Sequence, residues 1–312
     1  MQPFLARCWD RWSAFWFTPK APESLAIFRI LLGVFFLVYW LLRAPHVEFL
    51  FSADGIYMPA ITIRHSWSEV HDLFSLLGFL SAPIPVWATW SLYIGLIGSL
   101  LLFTIGLWTR GAAISTVVLY LYFYLIELYQ LDASYDRLFL QTAFAMCFSD
   151  CDERFSVRAW RLRRRRIALR EKVPFWPARL IGLQMMLVYF GTGFHKSLSP
   201  AWDGGEILYY SLISQWGSGI AYGIAGLLLP MAVYQVMVYG TIAFELFAPY
   251  GLYVPRFQPW YFASGVLFHV GIAVTLQIWQ FVSMPAAYIL FVDPERVRRW
   301  CDGESPSSPS LA

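Results

Sequence analysis

Apolar stretches of about the length of a membrane-spanning helix recur along most of this chain, and they constrain its fold more than any other feature. Such a helix needs about 20 mostly apolar residues. Eight segments approach that length, at 24–42, 85–108, 112–129, 136–149, 177–196, 222–248, 259–275 and 279–292. The sixth contains Pro230 and could break there. These segments predict an all-α polytopic membrane protein, a bundle of about eight transmembrane helices with no separate soluble domain.

Composition excludes the soluble alternatives. Charged residues make up 14% of the 312 residues and apolar residues 58%, whereas a soluble domain carries about 25% charged residues. A soluble fold could not cover its surface with so few charges, which excludes an ordinary cytoplasmic enzyme, a disordered protein and a nucleic-acid binder. Aromatic residues, at 19%, suit the two membrane interfaces. The lipid bilayer is therefore the expected partner, and no nucleic acid is expected.

The distribution of basic residues predicts the orientation. Residues 154–172, within a loop at 150–176, hold nine Arg or Lys and a single acid, and basic loops mark the cytoplasmic side of a membrane. Four segments precede this loop and four follow it, so an N-terminal segment at 1–21 and a tail at 295–312 should also be cytoplasmic. We expect a transmembrane domain over 22–294, a disordered tail and residence in a bacterial inner membrane.

Ionisable side chains inside apolar segments are expensive, which makes each a candidate for function. The predicted topology places most of them near the outer ends of the segments: Glu127, Asp132, Asp136, Arg137, His195, Lys196 and Glu206. His269 falls about mid-depth, and Arg29 and Glu245 fall near the inner ends. A site in this bundle should therefore open outward or into the outer leaflet.

Each candidate also has a structural interpretation. Arg29 and Glu245 could form structural ion pairs, Asp136 could cap its helix, and His269 could be a satisfied interior histidine. Lys196 ends an apolar run and could extend its ammonium to the interface. Alternatively, an apolar setting would favour its neutral amine, which could then act as a general base.

Several familiar chemistries lack their motifs here. The sequence contains no Walker A loop, dinucleotide fingerprint, HExxH or GxSxG pattern. The four cysteines and five histidines show no metal-ligand spacing, so no metal is expected. Gly191 and Gly193 form a lone GxG inside an apolar segment, which is more typical of close helix packing than of a nucleotide site.

Four groups of residues together resemble a known family. They are LAIFRILLG at 25–33 with Asp54-Gly55, LWTR at 107–110, VYFGTGFHK at 188–196 with WDGG at 202–205, and FELFAP at 244–249 with FHVG at 268–271. This set is similar to the HTTM (horizontally transferred transmembrane) domain family, which includes the membrane part of vitamin K-dependent gamma-glutamyl carboxylase. The resemblance extends over roughly residues 22–294.

The resemblance implies a chemistry and a set of residues. In the carboxylase, reduced vitamin K is oxygenated, and the strong base so formed removes a proton from a peptide glutamate, to which carbon dioxide adds. Lys196 matches the lysine that starts this cycle, His195 the basic residue before it, and His269 a histidine of the quinone pocket. Ser134-Tyr135 falls where the carboxylase has Asn-His, and neither residue is an equivalent donor or base. Tyr135 and Glu127 are weaker candidates for the pocket.

Two functions of different classes follow. The first is a carboxylase-like membrane enzyme that uses reduced vitamin K or menaquinol and carboxylates a glutamate-like substrate, with Lys196 as its base. The second is a non-catalytic membrane helper or binding partner for a peptide, a lipid or an export system. A solute transporter would need a polar path through the bundle, and the inner half is poor in polar residues.

Overall fold

The computed structural model describes residues 2–55, 84–131 and 134–304, with side chains at all of these except 2–4, 127–131 and 134. The α-helices are α1 (Gln2–Phe17), α2 (Glu23–Leu41), α3 (Val47–Phe51), α4 (Val86–Ile105), α5 (Thr109–Leu131), α6 (Ser134–Met146), α7 (Val157–Arg164), α8 (Trp176–Leu198), α9 (Glu206–Leu212), α10 (Gly219–Gly226), α11 (Met231–Leu246), α12 (Ala248–Tyr253), α13 (Gln258–Leu276) and α14 (Pro294–Asp302). Trp279–Leu290 is a 3₁₀ helix, and shorter 3₁₀ turns lie at Ala44–His46 and Pro200–Trp202.

The helical fold class and the membrane character are confirmed. Among the described residues, four stretches have the length and hydropathy to cross a bilayer, namely Glu23–Phe51, Val86–Ile105, Thr109–Ile126 and Gln258–Leu276. The other predicted segments are helical but shorter, interrupted or less apolar. For example, α8 has 23 residues, or about 35 Å, but includes Arg179 and Lys196. The count of eight crossings therefore stays a prediction.

The predicted sixth segment is interrupted where Pro230 suggested. One helix, α10, ends at Gly226 and the next, α11, starts at Met231. Between them, Leu228 has a left-handed backbone with φ of 48°, which a continuous helix does not accommodate. The predicted eighth segment is the 12-residue 3₁₀ helix, which contains Pro285. Part of the predicted tail is helical as α14, and residues 305–312 lie outside the described part.

Contacts along the chain divide it into two compact units, Met1–Pro177 and Ala178–Ala312. In the first unit, α4 packs against both α2 and α5. Gly33 lets α2 approach α4 closely, because a Cβ there would collide with the side chain of Thr104. The core of this unit is aromatic and includes the fully buried rings of Trp40, Tyr120 and Phe123.

In the second unit, α13 packs against the 3₁₀ helix Trp279–Leu290 and against α12. Gly193 brings α8 close to α11, because a Cβ there would lie 2.8 Å from the Cβ of Glu245. Gly191 has open space around it, so only one glycine of the GxG serves helix packing. This close approach positions the polar groups described next.

Candidate functional site

The second unit contains an ion pair between Lys196 on α8 and Glu245 on α11. Lys196 Nζ lies 2.6 Å from Glu245 Oε1, and 4.6 Å from the centre of the Trp202 ring. The lysine side chain is 18% exposed and the glutamate side chain 6%. The ammonium is therefore turned toward a buried carboxylate and an aromatic face rather than extended into the surroundings.

This contact contradicts the predicted separation of Lys196 and Glu245. The sequence suggests Lys196 near the outer end of one segment and Glu245 near the inner end of the next, but the two side chains touch. The reason lies in α12, which carries the chain onward past Ala248. A Cβ on Gly182, near the start of α8, would lie 3.4 Å from Tyr253 Oη at the end of α12. Glu245 therefore lies within the stretch formed by α11 and α12 and not at its end.

A second polar group in this unit centres on His269. Its Nε2 lies 2.6 Å from the hydroxyl of Tyr189, which in turn lies 3.0 Å from the hydroxyl of Tyr288. His269 is 3% exposed. Its Nδ1 is buried and has no hydrogen-bond partner among the described residues. One ring nitrogen of His269 is therefore hydrogen-bonded to Tyr189, and the other is available for a further hydrogen bond.

The two polar groups lie along the same helix faces. Tyr189 and Lys196 are seven residues apart on α8, which is two turns on one face and about 10 Å along the axis. Phe244, next to Glu245, packs edge-on against Tyr189 and stacks on Tyr261 at 4.6 Å between ring centres. The two polar groups therefore lie about two helical turns apart on one face of α8, with Phe244 packed beside Tyr189, and we refer to them together as the polar line.

His195 does not join this line. It is exposed, and neighbouring positions on a helix point about 100° apart, so His195 and Lys196 face different directions. Sequence reasoning also missed Tyr189, Tyr288 and the role of Trp202 beside the ammonium. Two signals were available: Tyr189 and Trp202 lie in the residue groups that resemble the family, and Tyr189 is seven residues from Lys196.

The remaining predicted site residues belong to the first unit. Glu127 is part of α5, but its side chain lies outside the described part. Tyr135 packs edge-on against Tyr39 at 6.4 Å between ring centres. Its neighbour Asp136 is buried and accepts hydrogen bonds of 2.6 Å from the hydroxyls of both Tyr39 and Tyr120. Asp136 thus joins α2, α5 and α6 and does more than cap its own helix.

The basic loop of the first unit makes hydrogen bonds and ion pairs, both within itself and with α2. Arg29 is fully buried and donates from Nη2 to the backbone oxygen of Phe155 at 2.6 Å. Arg158 donates to Glu153 at 2.9 Å. Burial opposes the charge of Arg158, but the hydrogen bond to Glu153 and the nearby charge of Asp152 raise its pKa above the usual value. Part of the loop is thus a folded, ion-paired structure.

Metal chemistry has no support among the residues that the structure describes. No group of three or more His, Cys, Asp or Glu there could hold an ion. His65 and His71 lie outside the described part.

Comparison with known proteins gives one match. The family model of the HTTM domain matches residues 17–295, which is most of the chain. No curated protein and no solved structure matches the chain.

Proposed function

We propose, starting from the fact that this chain belongs to the HTTM domain family, that it is a membrane enzyme that uses a quinol and in which Lys196 is the general base. The observation that carries the proposal is the Lys196–Glu245 contact of 2.6 Å inside apolar helices. Charged groups in such a setting are costly and are kept for function. The finer reaction that we propose is carboxylation of a glutamate-like substrate.

The ion pair provides a route to a neutral amine. Lys196 can accept a proton only after it has released one, and Glu245 Oε1 is the atom positioned to take it. Transfer along this hydrogen bond converts two charged groups into two neutral ones, and a low dielectric favours that exchange. Lys196 Nζ can then accept the hydroxyl proton of a bound ring. Glu245 keeps the first proton, so charge and protons balance.

The surroundings fit a flat, apolar ring with polar oxygens. Phe244 and Tyr261 stack on each other, and Phe268 packs against Phe244. Two buried polar atoms, His269 Nδ1 and Tyr261 Oη, have no partner among the described residues. Aromatic rings favour offset stacking with other rings, and the two free atoms suit ring oxygens. Reduced vitamin K or menaquinol, when bound, supplies the electrons for oxygen chemistry.

In this proposal the chain's residues divide the work. Lys196 accepts the hydroxyl proton of the ring, Glu245 controls whether the Lys196 amine is charged, and His269 orients the ring through a hydrogen bond at Nδ1. His195, exposed on the next face of α8, would contact the ring only at its outer edge. Tyr135 and Glu127 remain proposed pocket residues. We place the protein in a bacterial inner membrane, with eight crossings and both termini cytoplasmic.

One observation favours a non-catalytic helper instead. Lys196 and Glu245 neutralise each other, as a structural ion pair would. A helper for a peptide, a lipid or an export system would need the pair only to hold α8 against α11. The two functions therefore differ in whether Lys196 changes its protonation state.

The experiment is a turnover assay on protein in nanodiscs. Reduced vitamin K or menaquinol is supplied with oxygen and bicarbonate, and the epoxide is sought by mass spectrometry. We expect the wild type and Lys172→Ala, an exposed lysine outside the polar line, to form it. We expect Lys196→Ala to form none and Glu245→Gln to be slower by tenfold or more. Folded but equally inactive proteins would leave the helper as the better description.

A further inference from the structure

A second feature of the first unit, unrelated to the polar line, is a cavity at the end of α4. It has a volume of about 440 Å³ and opens to the surface. Its apolar lining comes from Ile105, Phe155, Val157 and Trp160, and Arg163 contributes the one charged side chain. Ile105 is the last residue of a candidate membrane span. The cavity therefore lies where that span ends.

Two of the apolar side chains that line the cavity are exposed rather than buried. Phe155 is 49% exposed and Trp160 is 52% exposed. Phe155 also has φ of 49°, a conformation that is unusual for a bulky residue. The buried guanidinium of Arg29 maintains it by donating to the Phe155 carbonyl. Strain of this kind persists where the surrounding structure imposes it, often at ligand sites.

The charges around the cavity fall into two classes. Arg154, Arg158 and Arg170 pair with carboxylates, at 3.0, 2.9 and 2.9 Å. Five arginines have no carboxylate partner among the described residues, and all five are exposed: Arg161, Arg163, Arg164, Arg165 and Arg166. One of them, Arg164, lies over the face of Trp160 at 4.1 Å. The unpaired positive charge is thus concentrated on α7 and the two residues that follow it, and Arg163 brings part of it to the cavity.

We propose that this cavity is a binding site for an anionic phospholipid. An acyl chain occupies the space between Ile105, Phe155 and Trp160, and the headgroup phosphate binds Arg163. Basic pockets next to spanning helices suit such headgroups, and arginine matches the geometry of phosphate. A soluble polyanion would use the arginines but would leave the apolar lining exposed. The combination of both features favours a lipid.

The test is lipid binding measured by native mass spectrometry on the full chain in detergent. Phosphatidylglycerol is titrated against phosphatidylcholine of the same acyl chains. Arg163→Gln is the test variant. Arg161→Gln is the matched control, because it removes the same charge from α7 but does not line the cavity. Trp160→Ala tests the apolar part of the site.

We expect phosphatidylglycerol to bind the wild type in preference to phosphatidylcholine. Arg163→Gln should weaken that binding about fivefold, the size expected for one basic residue near an anionic headgroup, and Trp160→Ala should weaken it as well. Arg161→Gln should have little effect, and inorganic phosphate should not compete. Equal losses in Arg163→Gln and Arg161→Gln would overturn the proposal, because they would show diffuse attraction only. Arg163-dependent binding of an oligonucleotide in place of the lipid would overturn it too.

Discussion

Each unit of this protein buries a carboxylate between its apolar helices, and the groups that surround these two carboxylates differ. Asp136 in the first unit and Glu245 in the second are both 5% exposed. Asp136 accepts hydrogen bonds from two neutral phenols, those of Tyr39 and Tyr120. Glu245 faces the ammonium of Lys196. The comparison shows that equal burial can be accommodated by neutral donors or by an opposite charge.

The difference has a consequence for function. Two phenols satisfy a carboxylate without offering it a proton at neutral pH, so the Asp136 arrangement suits structure. An ammonium can transfer its proton and become a base, so the Glu245 arrangement suits chemistry. Replacing each carboxylate by its amide changes charge but hardly changes shape, which makes matched substitutions possible in the two units.

The largest effect is expected from Glu245→Gln. It leaves the Lys196 ammonium facing a neutral amide in an apolar setting, and we expect the free energy of unfolding to fall by about 3 kcal/mol. Denaturant unfolding in mixed micelles measures this. The double variant Lys196→Met with Glu245→Gln should recover most of the loss, because no unpaired charge remains. Additive losses in the double variant would show that the two residues do not depend on each other.

A smaller effect is expected from Tyr189→Phe. The change removes the hydroxyl that contacts both His269 and Tyr288, and two buried polar groups lose their shared partner. We expect a loss of about 2 kcal/mol. Tyr288→Phe is the matched control, since it removes one of the two hydrogen bonds and should cost about half as much. A larger loss in Tyr288→Phe would mean that Tyr189 does not link the two.

Asp136→Asn should cost less than either. The amide oxygen can still accept from Tyr39 and Tyr120, and among the described residues the electrostatic attraction to Arg43 is the only charge interaction weakened, so we expect a loss of about 1 kcal/mol. The measurement is the same unfolding experiment. A loss as large as that of Glu245→Gln would show that the two carboxylates contribute to stability in the same way.

The last prediction concerns the accessibility of the cysteines in the two units and involves no change in stability. Cys8 and Cys301 are exposed, whereas Cys147 and Cys151 are buried, and burial raises the pKa of Cys151 to about 11. Little reactive thiolate is therefore present at Cys151 near pH 7.4. An impermeant maleimide should label Cys8 and Cys301 only after the cytoplasmic side is opened. Cys8→Ala and Cys301→Ala each leave one of them, and labelling of only one from outside would contradict even parity.

Much of the fold could be predicted because its signals are local. The length of an apolar stretch and the presence of Pro230 are properties of a few neighbouring residues, and they predicted the helices and the break in the sixth segment. The structure changed what depends on distant residues. Lys196 and Glu245 were predicted at opposite ends of their segments, but they touch; the end of the second segment was set at Ala248, whereas the chain continues through α12.

The site could be predicted only in part for the same reason. Lys196 and His269 stood out as ionisable groups in apolar helices, but their partners are 49 and 80 residues away. Tyr189 lies in the VYFGTGFHK group that carries the family resemblance, but the sequence does not show that its hydroxyl contacts His269 and Tyr288. His195 was predicted to lie in the same site as Lys196, but it lies on a different, exposed side of α8.

The sequence by itself determined that this is a helical membrane protein of the HTTM family, because hydropathy over about 20 residues and short motifs carry that information. Only the tertiary structure decided which charges meet. Asp136 finds two phenols and Glu245 an ammonium because helix packing, through close contacts such as that at Gly193, brings together side chains that the sequence keeps far apart.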